Sequence, residues 1–422
     1  MGVFLAMAAL PMAALFLHRS HGPHTPPQEP DEPRQWRRLW ALLLLGLHLA
    51  CIIPCTRMVD RIPIAQLAVL VAGGLVLAAA VVRPPPVRTL VLLAVIAGSL
   101  LRITTMPALR IDPRDGDQLP LVLRAIENLL AGRSPYALFY FPWPLPLVYL
   151  PVSWHVYLPT YLLHLDIRLT NLVLELLVGA ALCWSPRSDG RKGAWDQSRG
   201  GELGALLWSV CFLSPWMLMW SLHNTHPVFW AVLAGLLACL RAQRLGWTVA
   251  FVGLSLAASP LGVIVAAFVF AHWLRSRALV PAGLVIGAAG LVGAALMLPF
   301  WLWDPQGFLF GVLRWHNDSH RHIYELVKLE HVHPEIGFVV LFWKLGQLGA
   351  LKIVQAVLVA ALLGLYLWRR APRQELPHFV TAAMVLFFVF NPMIHSHYYW
   401  IAAVAALFTL RPEPDCSAPP LR

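Results

Sequence analysis

Charge is what this sequence has least of. Only 13% of its 422 residues are Asp, Glu, Lys or Arg, about half the share found in soluble domains, and that excludes a cytosolic globular enzyme. Cysteine offers little more. The six (51, 55, 183, 211, 239 and 416) fall mostly inside apolar runs, and none forms a CxxC pair. That pattern excludes a disulfide framework and a zinc ribbon. The sequence contains no HExxH string and no Gly-rich phosphate loop. Nor does it show a repeat of about 20–50 residues, or the matched halves of a transporter.

Apolar surface is abundant instead, with 59% hydrophobic residues and a mean hydropathy of +0.66. So apolar a chain would aggregate rather than stay solvated, which excludes disorder and leaves a bilayer as its solvent. At about 20 residues per span the length allows roughly ten to thirteen crossings. The expected fold is therefore all-α: one polytopic transmembrane domain over residues 1–410 with a short cytoplasmic tail at 411–422. Apolar runs occupy 2–17, 39–55, 64–82, 89–106, 167–184, 203–221, 226–240, 279–301, 350–368, 377–391 and 399–410. The first lacks a basic n-region and reads as a short span rather than a cleaved signal peptide. The pieces 247–258 and 261–274 are short and are separated by Ser259-Pro260, the mark of a broken or re-entrant pair.

The net charge of +11 sits in short turns between these runs, so it sets membrane orientation and does not imply a nucleic-acid partner. Arg34, Arg37, Arg38, Arg83, Arg88, Arg187, Arg191, Lys192, Arg199, Arg241, Arg244, Arg275, Arg277, Arg369, Arg370 and Arg373 mark these turns. Placing them in the cytoplasm gives a consistent alternation. It leaves 107–165, 302–335, 391–398 and the turn 222–226 on the opposite side, where almost every unusual polar residue falls. Segment 144–165 is apolar enough to cross, but Pro144, Pro146, Pro151 and Pro159 argue for a surface-lying or partly inserted segment.

The first outer loop opens Arg110-Ile-Asp112-Pro-Arg114-Asp115-Gly-Asp117, with three carboxylates and two arginines in eight residues. Residues 118–131 then form an amphipathic pattern, with Leu119, Val122, Leu123, Ile126, Leu129 and Leu130 on one face. This reads as a helix in the interfacial plane, capped by Gly132. Asp117 fits two roles: N-cap of that helix, or a base at the lipid–water boundary within reach of an incoming hydroxyl. In the second outer region, Arg321 and Lys328 suit a departing lipid phosphate. His316 and His320 have the i, i+4 spacing of a metal pair, with His322, His331 and His333 nearby, so a divalent metal stays open although no cofactor is demanded. An interfacial segment that binds anionic headgroups explains the same residues. His395 and His397 lie where a span breaks at Pro392, and His223, Asn224 and His226 form a comparable short turn. Asp166 and Arg168 are expected to pair with each other.

Read in order, Asp117-x7-Ala125-x3-Leu129-Leu130-x-Gly132-x-x-Pro135-Tyr136, Phe141-Pro-Trp-Pro-Leu145, Leu150-Pro151, Asp166-Ile-Arg168 with Asn171, His223-Asn224, Leu298-Pro299-Phe300 with Trp303-Asp304-Pro305 and Phe308, and Asn391-Pro392 with His395 and His397 resemble the GT-C glycosyltransferases. The branch most similar is the one that uses polyprenyl-phosphate-mannose. The resemblance implies a multi-pass cell-membrane enzyme with its active site facing away from the cytoplasm. Its donor would be a polyprenyl-phosphate-linked sugar, and its acceptor a hydroxyl on a glycan, lipid or protein. It implies Asp117 as the general base, with Asp115 as the fallback. Tyr136, His223, Asn224, His320, Arg321, Lys328 and His397 are the candidates for holding substrate. Two departures stand out: Phe141-Pro-Trp-Pro-Leu145 replaces a Tyr-Pro-Pro-Leu string, and Ser259-Pro260 stands where relatives often have Lys-Pro. A transporter or flippase for a lipid-linked or anionic substrate, and a non-catalytic assembly subunit, are the rival readings.

Overall fold

The computed structural model describes residues 34–58, 62–113, 116–141, 144–183, 194–276, 279–315, 338–370, 375–391 and 398–409. The expected span at 2–17, the tail at 411–422, Asp115, the histidine-rich stretch 316–335 with His320, Arg321 and Lys328, and His395 and His397 lie outside them.

The molecule is mostly helical, as an apolar chain must be to satisfy its backbone without water. Helices α1 (Arg34–Ala50), α2 (Ile52–Met58), α3 (Ile64–Val82) and α4 (Val87–Thr105) lead into the first outer loop. That loop holds α5 (Gln118–Leu130), a small antiparallel ribbon of β1 (Leu138–Tyr140) and β2 (Pro144–Pro146), and two short helices, α6 (Pro151–His155) and α7 (Leu158–Leu162). Then follow α8 (Arg168–Cys183), α9 (Ala194–Phe212), α10 (Pro215–His223), α11 (His226–Arg241), α12 (Leu245–Ala258), α13 (Gly262–Ser276) and α14 (Leu279–Trp303). The chain closes with α15 (Pro305–Leu309), α16 (Val339–Lys344), α17 (Leu348–Trp368), α18 (Leu376–Val389) and α19 (Tyr399–Leu407).

Among the described residues five helices are long and apolar enough to cross a bilayer: Arg34–Thr56, Ile64–Val82, Val87–Ala108, Leu279–Trp303 and Gly349–Trp368. Their outer faces carry exposed leucines such as Leu75 and Leu291, as lipid contact requires. The run expected at 203–221 is not one straight span. It bends by 72° between α9 and α10, because Pro215 lacks the N–H that would continue the ladder and instead starts a new helix. The break expected at Ser259-Pro260 is present between α12 and α13. Segment 144–165 is a strand and two short helices rather than one regular span, in line with its prolines. The ribbon of β1 and β2 was not anticipated.

The outer loop builds its own apolar core from Leu119, Val122, Ile126, Tyr136, Trp154 and Phe308. Helix α5 is therefore buried differently from a helix lying flat on lipid. Leu121 and Ala125 are buried while Leu130 is 52% exposed, because α6 and the strands fold over part of its surface. The helix ends at Gly132, whose φ of +67° is the left-handed conformation that closes a C-terminus.

Four arginines of the turns expected in the cytoplasm each reach a neighbouring segment. Arg38 donates to the Val81 carbonyl (3.1 Å), Arg88 pairs with Glu202 (2.7 Å), Arg241 donates to the Phe408 carbonyl (2.6 Å) and Arg275 to the Tyr366 carbonyl (3.3 Å). The segments expected on the opposite side also meet: Gly116 packs on His223, Ser134 bonds Asp304, and the Tyr398 ring lies against that of His226.

Candidate functional site

The site lies where three chain breaks converge. The first is the entry to α5. Arg168, at the start of α8, donates to the carbonyls of Leu109 (2.9 Å) and Met106 (2.5 Å) and pairs with Asp166 (2.5 Å). The Asp166–Arg168 pair expected from the sequence is thus present, and its guanidinium also fixes the start of the loop. The second break is the turn between α10 and α11, and the third is the entry to α19.

Gly116 packs directly against the turn. A Cβ at that position would stand 3.2 Å from the His223 Cβ and 3.5 Å from its carbonyl oxygen, so only glycine fits without displacement. The next residues lock this contact, since Gln118 Oε1 accepts from both the backbone N–H (2.9 Å) and the hydroxyl (3.0 Å) of Thr225.

Asp117 occupies the N-cap position of α5, yet its side chain makes no capping bond. Its backbone is already helical (φ −82°, ψ −18°), whereas a capping residue is normally extended so that its oxygen can reach the first-turn amides. The carboxylate is therefore not spent on the helix. It is half-buried, and burial holds its pKa above the ordinary aspartate value. Two tyrosines lie within its field. Burial raises Tyr149 far above the usual phenol range, and the Asp117 charge adds to this, followed by Tyr398 and Tyr157. Tyr398 is pushed up to about 12 by burial and then by Asp117. Thr225 lies within hydrogen-bonding reach of Tyr149, and the Tyr398 ring meets that of His226 edge-on with centroids 5.1 Å apart. Beside two phenols that hold their protons, the Asp117 carboxyl is the group of the three suited to accept one.

Of the residues expected to form the site, the structure sets the segment of Asp117 against the turn of His223 and Asn224, through Gly116 and Gln118. Asn224 is buried, and among the described residues its Nδ2 has no hydrogen-bond partner. Tyr136 lies in the packed layer behind. Its hydroxyl donates to the Tyr149 carbonyl (3.0 Å) and accepts from Trp154 Nε1 (3.3 Å), and its ring meets Phe308 with centroids 4.8 Å apart. The second outer region is fastened to the first. Ser134 donates to Asp304 (2.7 Å), Asp304 accepts from Gly307 N (2.9 Å), and Gly311 packs against the Leu147 carbonyl. The Ser153 hydroxyl donates to the Ala258 carbonyl, which brings the α12–α13 break under the same loop. Among the described residues no group of three His, Cys, Asp or Glu side chains is placed to share a metal ion.

Sequence reasoning missed Tyr149, Thr225 and Gln118. Tyr149 carried no signal, being one aromatic among many. Thr225 was legible only as the neighbour of His223-Asn224. No family model, curated protein or solved structure matches this chain.

Proposed function

We propose that this protein is a membrane-embedded glycosyltransferase. It would move a sugar, mannose or a similar residue, from a polyprenyl-phosphate carrier to an acceptor hydroxyl at the non-cytoplasmic face. The observation that carries the reading is Asp117, an uncapped, half-buried carboxylate at the loop end of an apolar helical bundle. A donor with a prenyl tail reaches such a site from the lipid, and its acceptor reaches it from water. The ordered resemblance of the loop motifs supports the same reading.

In the reaction Asp117 accepts the proton of the acceptor hydroxyl as the oxygen attacks the anomeric carbon. The bond from that carbon to the phosphate oxygen breaks, and polyprenyl phosphate leaves with the electron pair. Direct displacement inverts the anomeric configuration and needs no covalent sugar–enzyme species. Arg321 and Lys328 are the cations assigned to the leaving phosphate. Ser259-Pro260 supplies none at the α12–α13 break.

The test is made in proteoliposomes loaded with polyprenyl-phosphate sugar labelled in the sugar. The expected result is label in the acceptor with inverted configuration and one polyprenyl phosphate released per transfer. Label that crosses the bilayer with its phosphate bond intact would make the protein a carrier.

The raised carboxyl also fixes a pH dependence. The base works ionised, so activity falls as pH drops, and the fall begins above the ordinary aspartate value of about 3.9. Stability moves the other way. Between the unfolded and folded pKa the native state binds more protons. The contribution of Asp117 is therefore present below the unfolded value and is lost as pH rises through the folded one. A pH–rate profile whose acidic limb sits at an unperturbed carboxylate value would contradict this.

A further inference from the structure

Helix α8 carries three polar side chains on one face, Arg168, Asn171 and Glu175, at spacings of three and four. All three are buried, at 3%, 0% and 0% exposure. Arg168 holds the start of the outer loop, as described above. Glu175 pairs with Arg102 of α4 (2.8 Å). Between them Asn171 makes three hydrogen bonds. Its Nδ2 donates to the carbonyls of Ser221 and Asn224, both at 2.7 Å, and its Oδ1 accepts from the Tyr157 hydroxyl at 2.5 Å. One side chain thus spans the turn that joins α10 to α11, and Tyr157 fixes its rotamer from the outer loop.

That turn stands next to the reacting carboxylate. Its His223 packs on Gly116 and its Thr225 holds Gln118, the residues on either side of Asp117. The turn is also held at its far end, where Thr225 bonds Gln118 and the Val228 N–H donates to the Thr225 carbonyl. The Thr225 N–H goes to Gln118 and the Val228 N–H to the Thr225 carbonyl, so neither serves the carbonyls of Ser221 and Asn224 in the helical pattern, and both take the Asn171 amide instead. We propose that Asn171 is a positioning residue, which sets the 221–225 turn and through it the placement of Asp117. This rests on the transferase reading for its catalytic consequence and on the geometry alone for its structural one.

The two are tested separately in the full-length protein in membranes. Gly116→Cys with His223→Cys would place the two Cβ atoms 3.2 Å apart, so the turn must yield by a few tenths of an ångström to reach the separation of about 3.5–4.5 Å that a disulfide needs. The bridge between peptides 116 and 223 is read by mass spectrometry. With Asn171 intact the bridge forms readily on mild oxidation. Asn171→Leu, of similar volume but without a donor, is expected to slow it at least about tenfold, since a factor of ten reflects a modest shift in the closed population. In the chain without added cysteines, the same substitution is expected to lower kcat on the order of 10²-fold, with KM changed less than about threefold. Asn171→Ser, whose hydroxyl is too short to span both carbonyls, carries the test where Asn171→Leu does not accumulate. A merely structural role would lower yield and melting temperature but leave bridging in the folded fraction unchanged, and an unchanged rate overturns the proposal whatever the activity. Slowed bridging in a protein whose parent transfers no sugar would keep the positioning role and discard the transferase reading.

Discussion

Asp117→Asn is expected to abolish sugar transfer while leaving the protein at least as well folded. The geometry separates the two effects. At a working N-cap the change would touch helix stability, but the Asp117 side chain makes no capping bond, so α5 loses nothing with it. The amide carries no charge, so removing a carboxylate that burial already disfavours relieves a cost. The amide cannot take a proton from the acceptor. General-base catalysis is worth about 10²–10⁴-fold, so transfer from polyprenyl-phosphate sugar should fall by at least two orders of magnitude. Donor binding should persist, because the proposal assigns the phosphate to Arg321 and Lys328 and not to Asp117. Full activity in a well-folded Asp117→Asn protein would remove Asp117 as the base. An inactive and unstable one would show that the carboxylate has a structural role not visible in its hydrogen bonds.

Much of the architecture is legible in the sequence because the bilayer imposes few solutions. Apolar runs near span length become helices, and arginines of the turns between them, Arg38, Arg88, Arg241 and Arg275, each reach a neighbouring segment. The prolines are equally informative where they interrupt a run, at Ser259-Pro260 and across 144–165. Pro215 was not read as a break because the residues around it are apolar on both sides, and composition alone does not show a 72° bend. The candidate site was half visible. Asp117, His223 and Asn224 stand out as polar residues at the ends of apolar runs, and the neighbours of Asp117 do touch the turn that holds the other two. Tyr149 and Thr225 come to Asp117 only through the folding of the loop, and no local pattern encodes that. The assignment of Asp117 as a possible cap was a fair inference from residue type. It fails on a backbone angle that the sequence does not state. Glu175 had a signal that went unused: an acidic residue inside an apolar run has to be paired or exposed to a cavity.

That pairing sets the second large effect. Arg102 Nε lies 2.8 Å from Glu175 Oε2, with side chains 1% and 0% exposed, and the guanidinium sits 3.9 Å above the Phe212 ring. Its Nη1 also donates to the Gly98 carbonyl at 3.2 Å. Two charges withdrawn from water in an apolar bundle gain from each other roughly what their desolvation costs, so the pair adds little net stability. Removing one partner is a different matter, since the survivor stays buried with its charge uncompensated. Glu175→Leu is therefore expected to destabilise the protein by about 3–5 kcal/mol, and Arg102→Met by a similar amount. The double substitution should recover most of the loss, because neither charge remains and both side chains are close in volume to those they replace. Unfolding in detergent by denaturant titration measures all four corners of the cycle, and an interaction term of several kcal/mol is expected between residues in direct contact. Additive losses in the double variant would mean that the two charges are solvated independently. In that case the α4–α8 seam would have to contain water, which would also serve Arg102 Nη2 and Glu175 Oε1, buried without a hydrogen-bond partner among the described residues.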